Sequence, residues 1–140
     1  MALRWTRLVD LPFTAQSNED VLMMKIGVTS QNFRTITGHA GKTRRFLIFS
    51  ENSDGVPTEV DRLDLPKEMS MHEFRGTEHP IDQLDILITG SCGNGFKRRL
   101  ESRNVRVITT GEQDPLKAVS QLLAGESLAP PLPHDHQHGS

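Results

Sequence analysis

His39 and Cys92 are the two residues of this chain whose chemistry and setting most invite a ligand. His39 stands in Thr37-Gly38-His39-Ala40-Gly41, with glycine close on either side. Glycine frees the backbone to present a ring, and imidazole is the commonest side-chain metal ligand. An ordinary turn histidine fits the same five residues, so both readings stay open. Cys92, the single cysteine, lies in Gly90-Ser91-Cys92-Gly93-Asn94-Gly95. A thiol just before a helix start is expected to have a lowered pKa and to offer a thiolate to a metal or an electrophile. A small residue buried at the end of a strand satisfies that position equally. His72 is flanked by Met71 and close to Met69, and thioethers suit soft metals. Methionines also simply fill cores. His79 follows in the same irregular stretch. The spacing Cys92 to Arg98, C-x5-R, is also the layout with which cysteine-dependent phosphatases and arsenate reductases attack phosphorus or arsenic. Arg99 stands where that layout needs a hydroxyl.

Positioning such groups requires rigid elements on either side. Ile86-Leu87-Ile88 is an apolar run of the kind that fills a strand buried on both faces. The glycine loop follows, and then Phe96 and Leu100, four apart, begin a helix whose other faces carry Lys97, Arg98, Arg99 and Arg103. Strand, glycine loop and helix together point backbone N–H groups at an anion, which the helix dipole also favours. The contacts expected for a ligand are Arg34, Gly38, His39, Gly41 and Lys42 from the first loop and Gly90, Ser91, Cys92 and Gly93 from the second. His39, Cys92 and His72 are the candidate metal ligands.

Charge supports an anionic ligand. The windows 21–50 and 86–100 hold eight of the sixteen Lys and Arg and none of the eighteen Asp and Glu, in a chain of net charge −2. If the two windows meet in space they form a positive site in a slightly acidic protein. One cysteine excludes a disulfide framework and an all-cysteine zinc site within one chain, and it fits a reducing cytoplasm. No apolar run approaches the roughly 18 residues a membrane helix needs, and the first twenty residues lack the apolar stretch of a secretory signal.

Taken in order, 140 residues predict one compact domain over 23–127. Residues 1–22 form an N-terminal extension, either poorly ordered or an edge segment held by Trp5. Strands are expected over Met24–Thr29, Arg45–Phe49, Thr58–Leu65, Asp85–Thr89 and Val105–Thr109. A short helix is expected over Lys67–Phe74. Asp114-Pro115 caps a last helix whose apolar face is Leu116, Val119, Leu122 and Leu123, and Gly125 closes it. From residue 128 a proline-stiffened, disordered tail is expected, whose His134, His136 and His138 can chelate a divalent ion. The order predicts a mixed α/β sheet in which the strands on either side of the helix after Gly95 are parallel.

Lys25-Ile26-Gly27-Val28-Thr29-Ser30, the Gly38-His39-Ala40-Gly41 loop, Ile86 through Phe96 and Val105 through Thr110 resemble the dinitrogenase iron–molybdenum cofactor family, over residues 24–126. That family usually has an aromatic where this chain has Ala40, and often a branched aliphatic where it has Cys92. The resemblance implies a ribonuclease-H-like mixed five-stranded sheet with flanking helices. It also implies a non-catalytic protein that binds an anionic metal–sulfur cluster: the iron–molybdenum cofactor, its precursor, or a molybdenum–copper sulfide. His39 would be the cluster-associated histidine, His72 would fall in the family's second region, and Cys92 would add a thiolate ligand. Nitrogenase or cofactor-assembly proteins would be the partners, with no part for nucleic acid or membrane. A cysteine-dependent phosphatase or arsenate reductase and a plain protein–protein adaptor are the competing functions.

Overall fold

The computed structural model describes residues 24–52 and 54–131. The extension at 1–22, with Trp5, and the histidines at 134, 136 and 138 lie outside the described residues.

Five strands, β1 (Lys25–Thr29), β2 (Arg45–Glu51), β3 (Pro57–Asp64), β4 (Ile86–Thr89) and β5 (Arg106–Thr109), form one sheet in the order β3-β2-β1-β4-β5. β1, β4 and β5 are parallel, and β2 and β3 run antiparallel to their neighbours. α1 (Asn94–Glu101) connects β4 to β5, and α2 (Pro115–Leu123) follows β5. This is the expected mixed five-stranded sheet with its two helices.

Alternation along the strands divides the core into two layers. Phe46, Ile48, Leu87 and Val107 point to one face and pack with Phe96 and Leu100 of α1. Ile26, Val28, Leu47, Phe49, Ile86 and Ile88 point to the other and pack with Ala118 and Val119 of α2. Because both faces are covered, the inner strands read as near-continuous apolar runs rather than alternating ones. Each fully buried Ile or Leu contributes roughly 1.5–3 kcal/mol over its exposed state. β3 is one of the two edges, and its Glu59, Asp61, Arg62 and Asp64 are exposed, a charge pattern that discourages further strand pairing. Gly27 is glycine for space: a Cβ there would lie 2.4 Å from Leu84 Cδ1, which lies over β1.

Helix ends follow the expected chemistry. Asp114 Oδ1 accepts from the amides of Leu116 and Lys117 at 3.0 and 3.4 Å, Pro115 occupies the first turn, and Gly125 adopts φ +81° just beyond the helix end.

Two expectations are corrected. Lys67–Phe74 does not form a helix, since only Lys67–Met69 makes a 3₁₀ turn. The His72 amide, which a helix would pair with Glu68 O, donates instead to Gly41 O at 2.7 Å, and the Arg99 guanidinium donates to the carbonyls of Met71 and Phe74 at the end a helix would leave unpaired. The second correction concerns the start of the predicted tail. Leu128 packs on the α2 layer, Thr110 Oγ1 donates to Ala129 O at 2.7 Å, and the Gly111 amide donates to Pro130 O at 3.0 Å.

Candidate functional site

The two glycine loops meet at the carboxyl ends of the parallel strands β1 and β4, the usual place for a ligand in an open α/β sheet. Two threonines that end those strands bring them together. Thr29 Oγ1 lies 2.8 Å from Thr89 Oγ1 and 2.6 Å from Thr37 O, while Thr89 Oγ1 lies 3.2 Å from Ser91 O. Both residues are fully buried. Each hydroxyl has one proton, so two of these three contacts are donated at once: Thr89 to Ser91 O, and Thr29 to either Thr37 O or Thr89 Oγ1. Above them the Gly90 amide donates to Thr37 O at 3.0 Å and the Ala40 amide to Ser91 O at 3.1 Å. Sequence reasoning missed this bolt, although a threonine ending each buried apolar strand was its visible signal.

His39 is exposed and adopts φ 53°, ψ 53°, the left-handed conformation. Its amide donates to Ser91 Oγ at 2.9 Å, and its carbonyl accepts from Lys42 N at 3.0 Å and Thr43 Oγ1 at 3.1 Å. Gly38 abuts the same hydroxyl, and a Cβ on Gly38 would stand 2.4 Å from Ser91 Oγ. A Cβ on Gly41 would meet Phe96 of α1 at 3.9 Å, so the first loop reaches across to the start of that helix. No side chain caps α1: Gly93 is the N-cap residue, and the first helical bond is the Lys97 amide to Gly93 O. The amides of Asn94, Gly95 and Phe96 therefore precede the first intrahelical bond and face outward as donors.

Cys92 departs from its expected chemistry. Its side chain packs against the α1 core layer, and burial pushes the thiol pKa up, the Lys97 charge opposing this and the Glu101 charge adding to it. Desolvation thus outweighs the helix start. A C-x5-R phosphatase needs a stable thiolate and a free arginine beside it. Here burial disfavours the thiolate, although Arg98, the arginine of that spacing, has no carboxylate partner among the described residues.

His72 is exposed, and only its amide links it to the site, through Gly41 O. His39, Cys92 and His72 thus lie on neighbouring segments. Among the described residues, no three His, Cys, Asp or Glu side chains converge on a common metal position. The donor set is one exposed imidazole, a half-buried thiol and orphan amides, which fits a ligand held in part by electrostatics and not a closed cage. His79 is excluded by its own bonding. Its Nδ1 accepts from the Ile81 amide at 3.0 Å and its Nε2 lies 2.7 Å from Met69 O, so both ring nitrogens are used by the neutral ring.

The basic windows only partly meet. Lys25 lies at the far end of β1, where its amide donates to Asp85 Oδ2 and its Nζ to Gln83 Oε1. Arg45 pairs with Asp64 and stacks on Phe33, and Arg99 braces the segment around Met71. Arg34, Lys42, Arg44, Lys97 and Arg98 have no carboxylate partner among the described residues.

A model of the dinitrogenase iron-molybdenum cofactor family matches residues 23–125. The chain belongs to this family. Solved structures share the fold: the crystal structure of PH0822 superposes with a TM-score of 0.55 at 14% identity, covering 74% of this chain and 92% of that one. A Methanocaldococcus jannaschii protein provisionally named a dinitrogenase gives 0.52 at 13% identity, covering 75% and 92%. The Thermotoga protein TM1290, provisionally named a NifB protein of the DUF35 family, gives 0.50 at 15% identity, covering 83% and 99%. No curated protein matches the chain significantly. Membership accounts for the mixed sheet and sets the loops around His39 and Cys92 in a family named for the dinitrogenase iron-molybdenum cofactor.

Proposed function

We propose that the domain binds and carries an anionic metal–sulfur cluster as cargo, without a chemical step of its own. The cargo is the iron–molybdenum cofactor, its precursor or a molybdenum–copper sulfide. The partners are nitrogenase or cofactor-assembly proteins, and the setting is the cytoplasm. The observation that carries the reading is the junction of two acid-free glycine loops beside the uncapped start of α1, with the His39 imidazole exposed on the first. In this reading His39 ligates metal, and the amides of Asn94, Gly95 and Phe96 donate to sulfide. Arg34, Lys42, Lys97 and Arg98 offset the charge, while Cys92 and His72 are secondary ligands. One firm side-chain ligand and electrostatics suit cargo that must leave again, where a four-ligand cage would retain it. The remaining direct contacts expected of Gly38, Gly41, Gly90, Ser91 and Gly93 become loop shape and backbone donors.

The test is anaerobic incubation of the full chain with isolated iron–molybdenum cofactor, and separately with tetrathiomolybdate, followed by gel filtration and metal analysis of the protein peak. Molybdenum eluting with the protein is the expected result, weakened by added salt. A metal-free peak from both incubations overturns the carrier function. Turnover of an aryl phosphate or arsenate, abolished in Cys92→Ser, would put the enzyme function in its place.

A further inference from the structure

We infer that Ser91 is a positioning residue: its hydroxyl latches the His39 amide and so sets the direction in which the imidazole is offered to cargo. The consequence for cargo rests on the carrier function proposed above.

A non-glycine residue enters the left-handed region at a cost, and it stays there only where its surroundings over-determine the backbone. His39 is one of three non-glycine residues with positive φ among the described residues. Two of the bonds that hold it, from Lys42 N and Thr43 Oγ1 to its carbonyl, come from its own loop. The bond from its amide to Ser91 Oγ comes from the second loop, and the next amide, Ala40, adds a bond to the Ser91 carbonyl at 3.1 Å. Ser91 thus clamps two successive amides with one side chain and one backbone oxygen.

Gly38 provides an independent observation of the same latch. Its φ lies outside the range that demands glycine, so alanine is allowed by the backbone. Space opposes it, because a Cβ would reach within 2.4 Å of Ser91 Oγ and push that hydroxyl off the His39 amide, while the other atoms of Ser91 are no nearer than 3.4 Å. Glycine at 38 therefore lets the Ser91 hydroxyl keep its place at the His39 amide. Since the hydroxyl is engaged with His39, its part is to hold the loop, and the Cβ direction of a left-handed residue differs from that of an extended one.

Backbone hydrogen exchange at the His39 amide in the cargo-free full chain tests the latch directly. Ser91→Ala should speed exchange at His39 by at least about tenfold with circular dichroism unchanged, and Ser91→Thr, which keeps the hydroxyl, should restore protection. Gly38→Ala should lower the melting temperature and open the same amide. Adding Ser91→Ala to Gly38→Ala should recover the melting temperature, because the clashing oxygen is gone. Tetrathiomolybdate release should be faster in Ser91→Ala than in wild type. Unchanged His39 exchange in Ser91→Ala, or a double variant less stable than Gly38→Ala, overturns the latch. Faster exchange with equal release overturns its role in presenting the imidazole. If the wild-type chain takes up no cargo, the carrier function fails, and the exchange measurements still decide the latch.

Discussion

His39 and Cys92 looked equivalent as donors in glycine-rich loops, and their surroundings separate them. The imidazole is exposed on a clamped loop, whereas the thiol is half-buried against the α1 core layer. A thiol must lose its proton to bind metal, and burial here opposes that loss. His39→Ala should therefore lower retention of bound molybdenum by at least about tenfold, roughly 1.4 kcal/mol, and mainly by faster release. Cys92→Ser should cost less. Anaerobic release from each variant decides it: equal retention in His39→Ala removes His39 from the site, and a larger loss in Cys92→Ser moves the ligand to the second loop. The raised thiol pKa has its own readout. At neutral pH iodoacetamide should label Cys92 at least several-fold more slowly than it labels a free cysteine. Faster labelling would contradict the protonated, desolvated thiol.

At the scale of elements, the stretch from Lys67 to Gln83 shows how a segment with little regular structure is held. Arg99 takes the carbonyls of Met71 and Phe74, Arg103 pairs with Asp82 at 2.8 Å and lies over the Phe74 ring, and His79 caps the 3₁₀ turn Pro80–Gln83. Burial lowers the His79 pKa and the nearby Arg103 and Arg99 charges add to this, against the Met69 carbonyl and the Asp82 carboxylate. A second proton would have to go on Nδ1, the atom that accepts from the Ile81 amide. The unfolded chain binds that proton below about pH 6.5 and the folded one resists it, so the stability from this ring is present above that pH and lost as pH falls. The urea midpoint should therefore drop between about pH 7.5 and about pH 5. His79→Ala should be less stable at the higher pH and show a shallower dependence on acid. A slope unchanged by the substitution would assign the acid sensitivity to other groups.

For the molecule as a whole, the sheet separates two ends. The junction of the glycine loops occupies one, and a shallow groove of about 390 Å³ lined by Lys25, Ser50, Thr58, Val60 and Gln83 lies at the other. Cargo is therefore expected at the first end and not in that groove. The chain after α2 returns to the sheet, where Leu128, Ala129 and Pro130 lie against the second core layer and the end of β5. Ending the chain at Ser127 removes one apolar contact and the bonds to Thr110 and Gly111, a loss of roughly 1–3 kcal/mol. Ending it at Pro131 keeps them all. Urea melts of the two truncations should differ by that amount, and equal midpoints would show that these residues contribute nothing.

Local chemistry was enough to read most of the elements from the residues. Apolar runs placed the strands to within a residue or two, Asp114-Pro115 and Gly125 marked the last helix, and alternating glycines marked both loops, because each signal is decided by neighbours in the chain. The Lys67–Phe74 helix failed because the His72 amide it would have used is claimed by Gly41, a residue distant in sequence. Charge windows were legible, but the engagement of Arg45 and Arg99 elsewhere was not. The Cys92 pKa was read from position at a helix start and reversed by the core packed against it, since desolvation depends on what surrounds a group in space. Register decided the rest. Pairing Ile26 with Ile86 and Val28 with Ile88 brings Thr29 and Thr89 together, sets Ser91 under the His39 amide and turns two separate glycine loops into one site.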